Sequence, residues 1–306
     1  MYFMSKRILF SILLVSIGVD VFSQQESVIQ YCLPFNVIVP ENLIYNRKHI
    51  NPSLTNDTIS FEASMIAHYQ FIGYVNSPKN YVYSVGGKIP KTKNILGIDL
   101  GFEKNGRVQS QLLKINYSYR FTINERSDIK AGVNLGLARF KIISSNLDIQ
   151  GNIGDPLFTS GFSNWGYQPI IDLGVLYRRK NQNIGLAYLG MIKSYIVSGF
   201  SKVLLTDRVI VFNYFSNYKL SNRLEIVPEI IVSNSISKTD IFLKGILLYR
   251  EKFSAGMLIG SSSHYGFMLS CLFFRNVEMG YICELKKEPI LNTYGYHTIK
   301  LGLILK

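Results

Sequence analysis

The sequence predicts a transmembrane antiparallel β-barrel of the outer-membrane type, built from about fourteen strands, with both ends of the chain in the periplasm. Three observations predict it. The N-terminus reads as an export signal, the rest of the chain breaks into short segments of alternating apolar and polar residues, and the connections between these segments are sorted by length.

The export signal comes first in the chain. Lys6 and Arg7 precede an apolar run from Ile8 to Val15, and small residues follow at the exit near Val21 and Ser23. This is the order of a secretory signal peptide, with cleavage expected after Ser23. Asp20 interrupts the run, which falls short of the roughly 20 apolar residues that a spanning helix needs. Cys32 lies nine positions beyond Ser23, too far for a lipoprotein signal. Removing residues 1–23 takes away Lys6, Arg7 and Asp20 and changes the net charge from +13 to +12. The mature chain is therefore strongly basic. Its cations are dispersed, and an exported protein has little access to DNA, so a membrane surface and not nucleic acid is the expected anionic partner.

Beyond the signal, residues 24–57 precede the first periodic segment. Fourteen candidate strands follow, near 60–73, 81–89, 94–103, 109–123, 127–143, 167–178, 182–192, 204–218, 222–234, 238–250, 252–263, 265–275, 276–287 and 294–305. The clearest has Leu113, Ile115, Tyr117, Tyr119 and Phe121 on one face and Lys114, Asn116, Ser118, Arg120 and Thr122 on the other. Ile129, Ala131, Val133, Leu135 and Leu137 oppose Lys130, Gly132, Asn134 and Gly136. Likewise Ile299, Leu301, Leu303 and Leu305 oppose Thr298, Lys300 and Gly302. Small and polar residues suit a lumen, and apolar ones suit lipid.

A soluble sandwich alternates in the same way, so the connections must decide. Those after even-numbered strands are short: Pro90 to Lys93, Asn124 to Arg126, Arg179 to Asn181, Lys219 to Ser221, Glu251, and the Arg275–Asn276 junction. All the long ones, 74–80, 144–166, 193–203 and 288–293, follow odd-numbered strands. Outer-membrane barrels sort their loops this way, with short periplasmic turns, whereas a sandwich has no reason to. Every short turn also carries or abuts a basic residue: Lys91 and Lys93, Arg126, Arg178, Arg179 and Lys180, Lys219 and Arg223, Arg250 and Lys252, and Arg275. These are either ordinary solvated turns or a positive periplasmic rim that grips lipid headgroups or an acidic partner. Loop 144–166 gathers Phe158, Phe162 and Trp165 close to Tyr167. These aromatics suit a cargo-binding loop, an interfacial belt, or packing over the lumen.

The chain shows no catalytic signature. His49, His68, His264 and His297 fall in separate elements without metal-ligand spacing, and no cofactor motif appears. Asp99, Asp172, Glu225, Glu229, Glu278 and Glu284 occupy strand positions where lumen-facing carboxylates are expected. Cys271 and Cys283 lie on neighbouring segments, where they serve as small apolar filler or, if those strands pair, as a bridge.

The segment after the signal carries a non-repetitive pattern: Tyr45 and Asn46, then Asn51, Pro52, Ser53 and Asn56. It resembles the entry motif of the PorP/SprF family, outer-membrane components of type IX secretion and gliding motility in Bacteroidota. The family's Ala and Gly stand here as Ser53 and Asn56, and Asn tolerates a left-handed backbone. His68, Gln70, Phe71 and Gly73, followed by Pro78 and Lys79, sit where the family tends to have Arg, Gln, Trp and Gly. Ile89 and Pro90 close the second strand in the family's manner, and Gly154, Asp155, Pro156 and Phe158 resemble its Asp-Pro-aromatic element. The resemblance implies a non-enzymatic barrel without cofactor that works with secretion machinery and with a secreted, adhesin-like cargo bearing a C-terminal signal. Read without the family, Pro52 biases Asn51 towards extended backbone, and Asn46 and Asn56 suit turns. Residues 24–57 therefore either form plain turns or fold against the periplasmic mouth or into the lumen as a docking surface, followed by a barrel over 58–306. A channel for small hydrophobic molecules is the alternative.

Overall fold

In the computed structural model of the chain, the described residues are 44–73, 77–106, 108–142, 166–192, 195–198, 201–204, 208–235, 238–261, 264–286 and 295–305. They form one closed antiparallel barrel of fourteen strands. The strands are β1 (Phe61–Tyr69), β2 (Lys79–Lys88), β3 (Asn94–Asn105), β4 (Val108–Asn124), β5 (Ser127–Ile142), β6 (Gly166–Arg179) and β7 (Gln182–Leu189). The circle continues with β8 (Val209–Ser216, prolonged by Tyr218–Ser221), β9 (Leu224–Ser235), β10 (Thr239–Tyr249), β11 (Phe253–Gly260), β12 (His264–Phe273), β13 (Val277–Lys286) and β14 (Tyr296–Leu305). Each strand pairs with its sequence neighbours. β14 closes on β1, with Phe61 opposite Leu305 and Tyr69 opposite His297. A separate small hairpin, Tyr195–Ser198 with Ser201–Leu204, lies within the β7–β8 connection.

The alternation read from the sequence sets which face is which. On β4, Lys114, Asn116 and Ser118 are buried inside, while Leu113, Ile115 and Tyr117 are exposed on the outer wall. The same split places Lys130 and Asn134 inside on β5, and Thr298 inside with Ile299, Leu301 and Leu303 outside on β14. A wall that is apolar towards the outside and polar within is stable only where lipid replaces water, because the outward side chains cannot hide from water in any other way. No described helix is long and apolar enough to cross a membrane, and the strands do the crossing.

The connections after even-numbered strands are tight, and their backbones are stitched to one another. The Lys180 N–H donates to the Arg126 carbonyl, Asn217 to Asn181, Arg250 to Arg223, Leu272 to Lys252, and Ile304 to Asn276. One end of the barrel is therefore a continuous hydrogen-bonded ring. Lys91, Lys180, Arg250, Glu251, Phe274 and Arg275, all at this end, have positive φ without being glycine.

Two sequence expectations change, and one alternative is decided. The fourth short turn falls at 222–223 and not at Lys219 to Ser221, because Tyr218–Ser221 still pairs with β9. The interruption in β8 lies across from the stretch of β9 holding Pro228, which has no N–H to donate to the ladder. The first strand stops at Tyr69, since Phe71 (φ 48°) and Gly73 (φ 103°) turn the chain left-handed. Cys271 and Cys283 are both free: Cys283 stands opposite Phe267, whereas Cys271 stands opposite Met279, so the register holds the two thiols apart.

Candidate functional site

The site is the lumen itself, occupied by the segment from Ile44 to Asp57. Local sequence shapes this segment into two short 3-10 turns, Arg47–His49 and Pro52–Leu54. Asn51 is extended (φ −156°, ψ 111°), as a residue before proline prefers. Its Oδ1 caps the second turn by accepting from the Ser53 N–H at 3.0 Å and the Ser53 hydroxyl at 2.6 Å. Pro52 occupies the first helical position, where a missing N–H costs nothing. After the second turn, Asn56 Oδ1 accepts from the N–H (3.0 Å) and hydroxyl (2.8 Å) of Thr58. The φ of Asn56 is not positive, so it replaces glycine here by a side-chain turn and not by a left-handed backbone.

Glycines in the wall receive this segment. A Cβ on Gly132 would lie 2.4 Å from the Pro52 carbonyl carbon, and one on Gly174 would lie 2.1 Å from Asn51 Oδ1. A Cβ on Gly185 would meet Asn213 Oδ1 at 2.3 Å and Asn51 Nδ2 at 2.8 Å, and one on Gly280 would meet the Tyr45 hydroxyl at 2.3 Å. The inward glycines are thus notches that Tyr45, Asn51 and Pro52 fill. Asn51 Nδ2 also donates to Asn213 Oδ1 at 3.2 Å.

Charge fixes the segment further. Asp99, fully buried on β3, accepts from Lys48 Nζ (2.6 Å), Ser84 Oγ (2.6 Å) and Asn116 Nδ2 (2.8 Å), and lies 2.9 Å from His49 Nε2. Burial, the largest influence, lowers the His49 pKa below its ordinary value despite the pull of Asp99. Arg47 pairs with Glu229, which also holds Lys244, and its guanidinium lies 4.3 Å from the Phe215 ring centroid. Asn134 Nδ2 donates to the Lys48 carbonyl (3.2 Å), and the Lys130 ammonium donates to the Thr55 carbonyl. At the exit from the lumen, Arg178 grips Asp57 through two nitrogens (2.7 and 3.0 Å) and Asp128 through a third (2.6 Å). Arg120 bridges the same two carboxylates. Burial acts to raise the Asp57 pKa, but the hydrogen bond from Arg178 and the charges of Lys130, Arg178 and Arg120 outweigh it and pull the carboxyl down to about 2.

The opposite lumen wall supplies the apolar contacts. Ile44 and Ile50 pack among Ala187, Leu189, Val211, Ile231, Phe242, Leu258, Met268 and Ile282 from β7 to β13. Between the segment and the short-turn mouth lies a vestibule of about 1540 Å³, lined by Arg47, Lys48, Asp57 and Lys300 and, at its rim, by Glu125, Arg126, Lys180 and Lys219.

A family model for the type IX secretion system membrane protein PorP/SprF matches residues 35–303, a stretch that includes the lumen segment and the barrel. The chain belongs to the PorP/SprF family. It is a secretion-related protein of the outer membrane. Among solved structures, the toluene transporter TbuX of Ralstonia pickettii is similar at TM-score 0.50 and 12% identity, covering 88% of this chain and 94% of its own. Omp33 of Acinetobacter baumannii (TM-score 0.46, 11% identity, 81% and 98% covered) and the P. putida toluene transporter TodX (0.47, 11%, 83% and 92%) are also similar. At this identity the likeness to TbuX concerns the barrel fold alone. No curated protein matches.

The PorP/SprF entry motif and the later motif residues part company in space. Tyr45, Asn46, Asn51, Pro52 and Asn56 belong to the lumen segment. Gln70, Gly73 and Pro78 lie at the other end of the barrel, where the Gln70 N–H donates to the Pro78 carbonyl at 3.0 Å to close the β1–β2 hairpin. There His68 Nδ1 lies 2.8 Å from Thr298 Oγ1, and Phe71 packs 5.1 Å from Tyr296. Gly154, Asp155, Pro156, Phe158, Phe162 and Trp165 lie outside the described residues, and Tyr167 stands exposed on β6. Of the basic turn residues, Arg178 points inward to Asp57 and Asp128. Lys91, Lys93, Arg126, Arg179, Lys180, Lys219, Arg250, Lys252 and Arg275 are exposed. The strand carboxylates face cations or amides: Asp99 with Lys48, Asp172 with Lys114, Glu229 with Arg47, Glu278 with Lys300, and Glu225 with Asn217. Among the described residues no three metal-type side chains converge. The glycine notches and the Arg120–Asp128 pair were not anticipated from sequence. The only local sign of the notches is a glycine at an inward strand position between apolar outward neighbours.

Proposed function

We propose that the chain is an accessory barrel of type IX secretion that helps export, or holds at the surface, a secreted cargo protein with a C-terminal signal, and that its lumen is not the route of transport. The seating of Tyr45, Asn51 and Pro52 in wall glycines supports this reading, because residues that fill the bore by close contact with its wall suit a rigid platform better than a pore. In this reading the short turns face the periplasm, the vestibule meets a machinery component, and the long loops, 144–166 foremost, hold cargo. The apolar wall around Ile44 and Ile50 favours a second reading, a channel for small hydrophobic molecules, in which the segment must move aside. Conductance in planar bilayers separates the two. The platform predicts low, flat conductance from the purified chain, a large rise on deleting residues 44–56, and cargo that copurifies with the intact chain and is lost when 144–166 becomes a Gly/Ser linker. Steady conductance and hydrocarbon flux through the intact chain would establish the channel instead.

A further inference from the structure

The short-turn end of the barrel carries an asymmetry of charge that the lumen does not use. Across the six short turns and the strand ends beside them, ten exposed cations face two exposed acids, Glu125 and Glu251. The cations are spread around the circumference, one or more at every turn from β2–β3 to β12–β13. Beside them the outer wall exposes Phe121, Tyr218, Tyr249, Phe253, Phe273 and Phe274, the last almost completely. The Arg250 guanidinium lies 5.3 Å from the Tyr249 ring centroid. Because the turns are hydrogen-bonded to one another in a ring, these side chains are held at the edge of the apolar wall.

Lys91 (φ 60°), Lys180 (φ 52°), Arg250 (φ 52°) and Arg275 (φ 68°) occupy left-handed positions that Gly or Asn would fill with less strain. Glu251 and Phe274 share this conformation, so the strain does not itself select for charge, but it marks positions where Asn is tolerated.

We propose that this end is a collar for anionic phospholipid headgroups, the basic turns meeting phosphates while the neighbouring rings lie at the top of the acyl chains. Lipid fits better than an acidic protein because a leaflet surrounds the barrel, as these charges do, whereas a protein partner would need them on one side. The proposal rests on the reading that places the short turns at the phospholipid leaflet.

The test uses the full chain refolded in mixed phosphatidylglycerol and phosphatidylcholine, with retained lipids counted by native mass spectrometry. Lys180→Asn, Arg250→Asn and Arg275→Asn together remove charge at positions where Asn is conformationally favoured, so the triple variant folds. Lys79→Gln, Lys104→Gln and Lys238→Gln remove equal charge from exposed positions at the other end. The expected result is a drop of about tenfold in preference for phosphatidylglycerol in the first variant and none in the second, with added inorganic phosphate having no effect. An unchanged preference in the first variant would overturn the collar. So would displacement of the lipid by phosphate, which would assign the charges to a free anion, or loss of an acidic partner with lipid retention intact. Failure of the unsubstituted chain to insert into vesicles, seen as absence of heat-modifiable migration, would instead overturn the membrane placement itself.

Discussion

The two walls of the lumen meet the same short segment by different means. From β2 to β6 the wall is polar: Asp99, Asn116, Lys130, Asn134 and Asp172 hold Lys48, His49 and Thr55 or one another, and Gly132 and Gly174 leave room for the backbone of the segment. From β7 to β13 an apolar patch receives Ile44 and Ile50, beside two polar anchors, Asn213 on β8 for Asn51 and Glu229 on β9 for Arg47. The polar wall fixes position, because buried charges and close backbone contacts have few acceptable arrangements. The apolar wall supplies burial with little directional demand. The segment is thus located mostly by polar contacts from β3 to β6, with Asn213 and Glu229 adding two from the other side, and is retained by the apolar patch.

Substitutions can break this comparison in order of size. Asp99→Ala leaves the half-buried Lys48 and the buried His49 without their partner and should loosen the segment by about 3 kcal/mol, seen as fast hydrogen exchange over residues 44–57. If exchange there is unchanged, the polar wall does not fix the segment. Gly132→Val drives a side chain into the Pro52 backbone and should cost about 1–3 kcal/mol or more, with raised bilayer conductance as the readout.

Acid should act more selectively. Asp57 has a folded pKa near 2, below its unfolded value, so its contribution is present above about pH 4 and is lost as pH falls through 2. Because Asp57 sits at a partly open mouth, screening by solvent leaves about 1 kcal/mol of hold on the exit from the lumen. Asp57→Asn should remove that part of the pH dependence in a titration of exchange rates. On the apolar wall, Ile50→Val should cost only about 0.5–1.5 kcal/mol, measured by denaturant midpoint in micelles. An effect larger than that of Asp99→Ala would reverse the assignment of roles to the two walls.

The same contrast explains what could be read in advance. Strands on the polar wall, such as β4 and β5, alternate cleanly because one face meets lipid and the other meets polar groups. On β10 to β12 the alternation blurs, since Phe242, Leu258 and Met268 are apolar although they face inward. Their partner is a segment far away in sequence, which no local period records. The turn at 222–223 was misplaced for a related reason, because the pairing of Tyr218–Ser221 with β9 is a property of the neighbouring strand.

The sequence by itself determined the number of strands, the outward face and the sorting of loops. All of these follow from periods and spacings within a few residues. Only the tertiary structure decided that the motif enters the bore, that Asp99 and Glu229 receive its cations, and that Gly132, Gly174, Gly185 and Gly280 are its seats. Those pairings join positions that lie tens to hundreds of residues apart. Closing the barrel brings them within van der Waals reach, and nothing in a local pattern of residues encodes which inward position faces which.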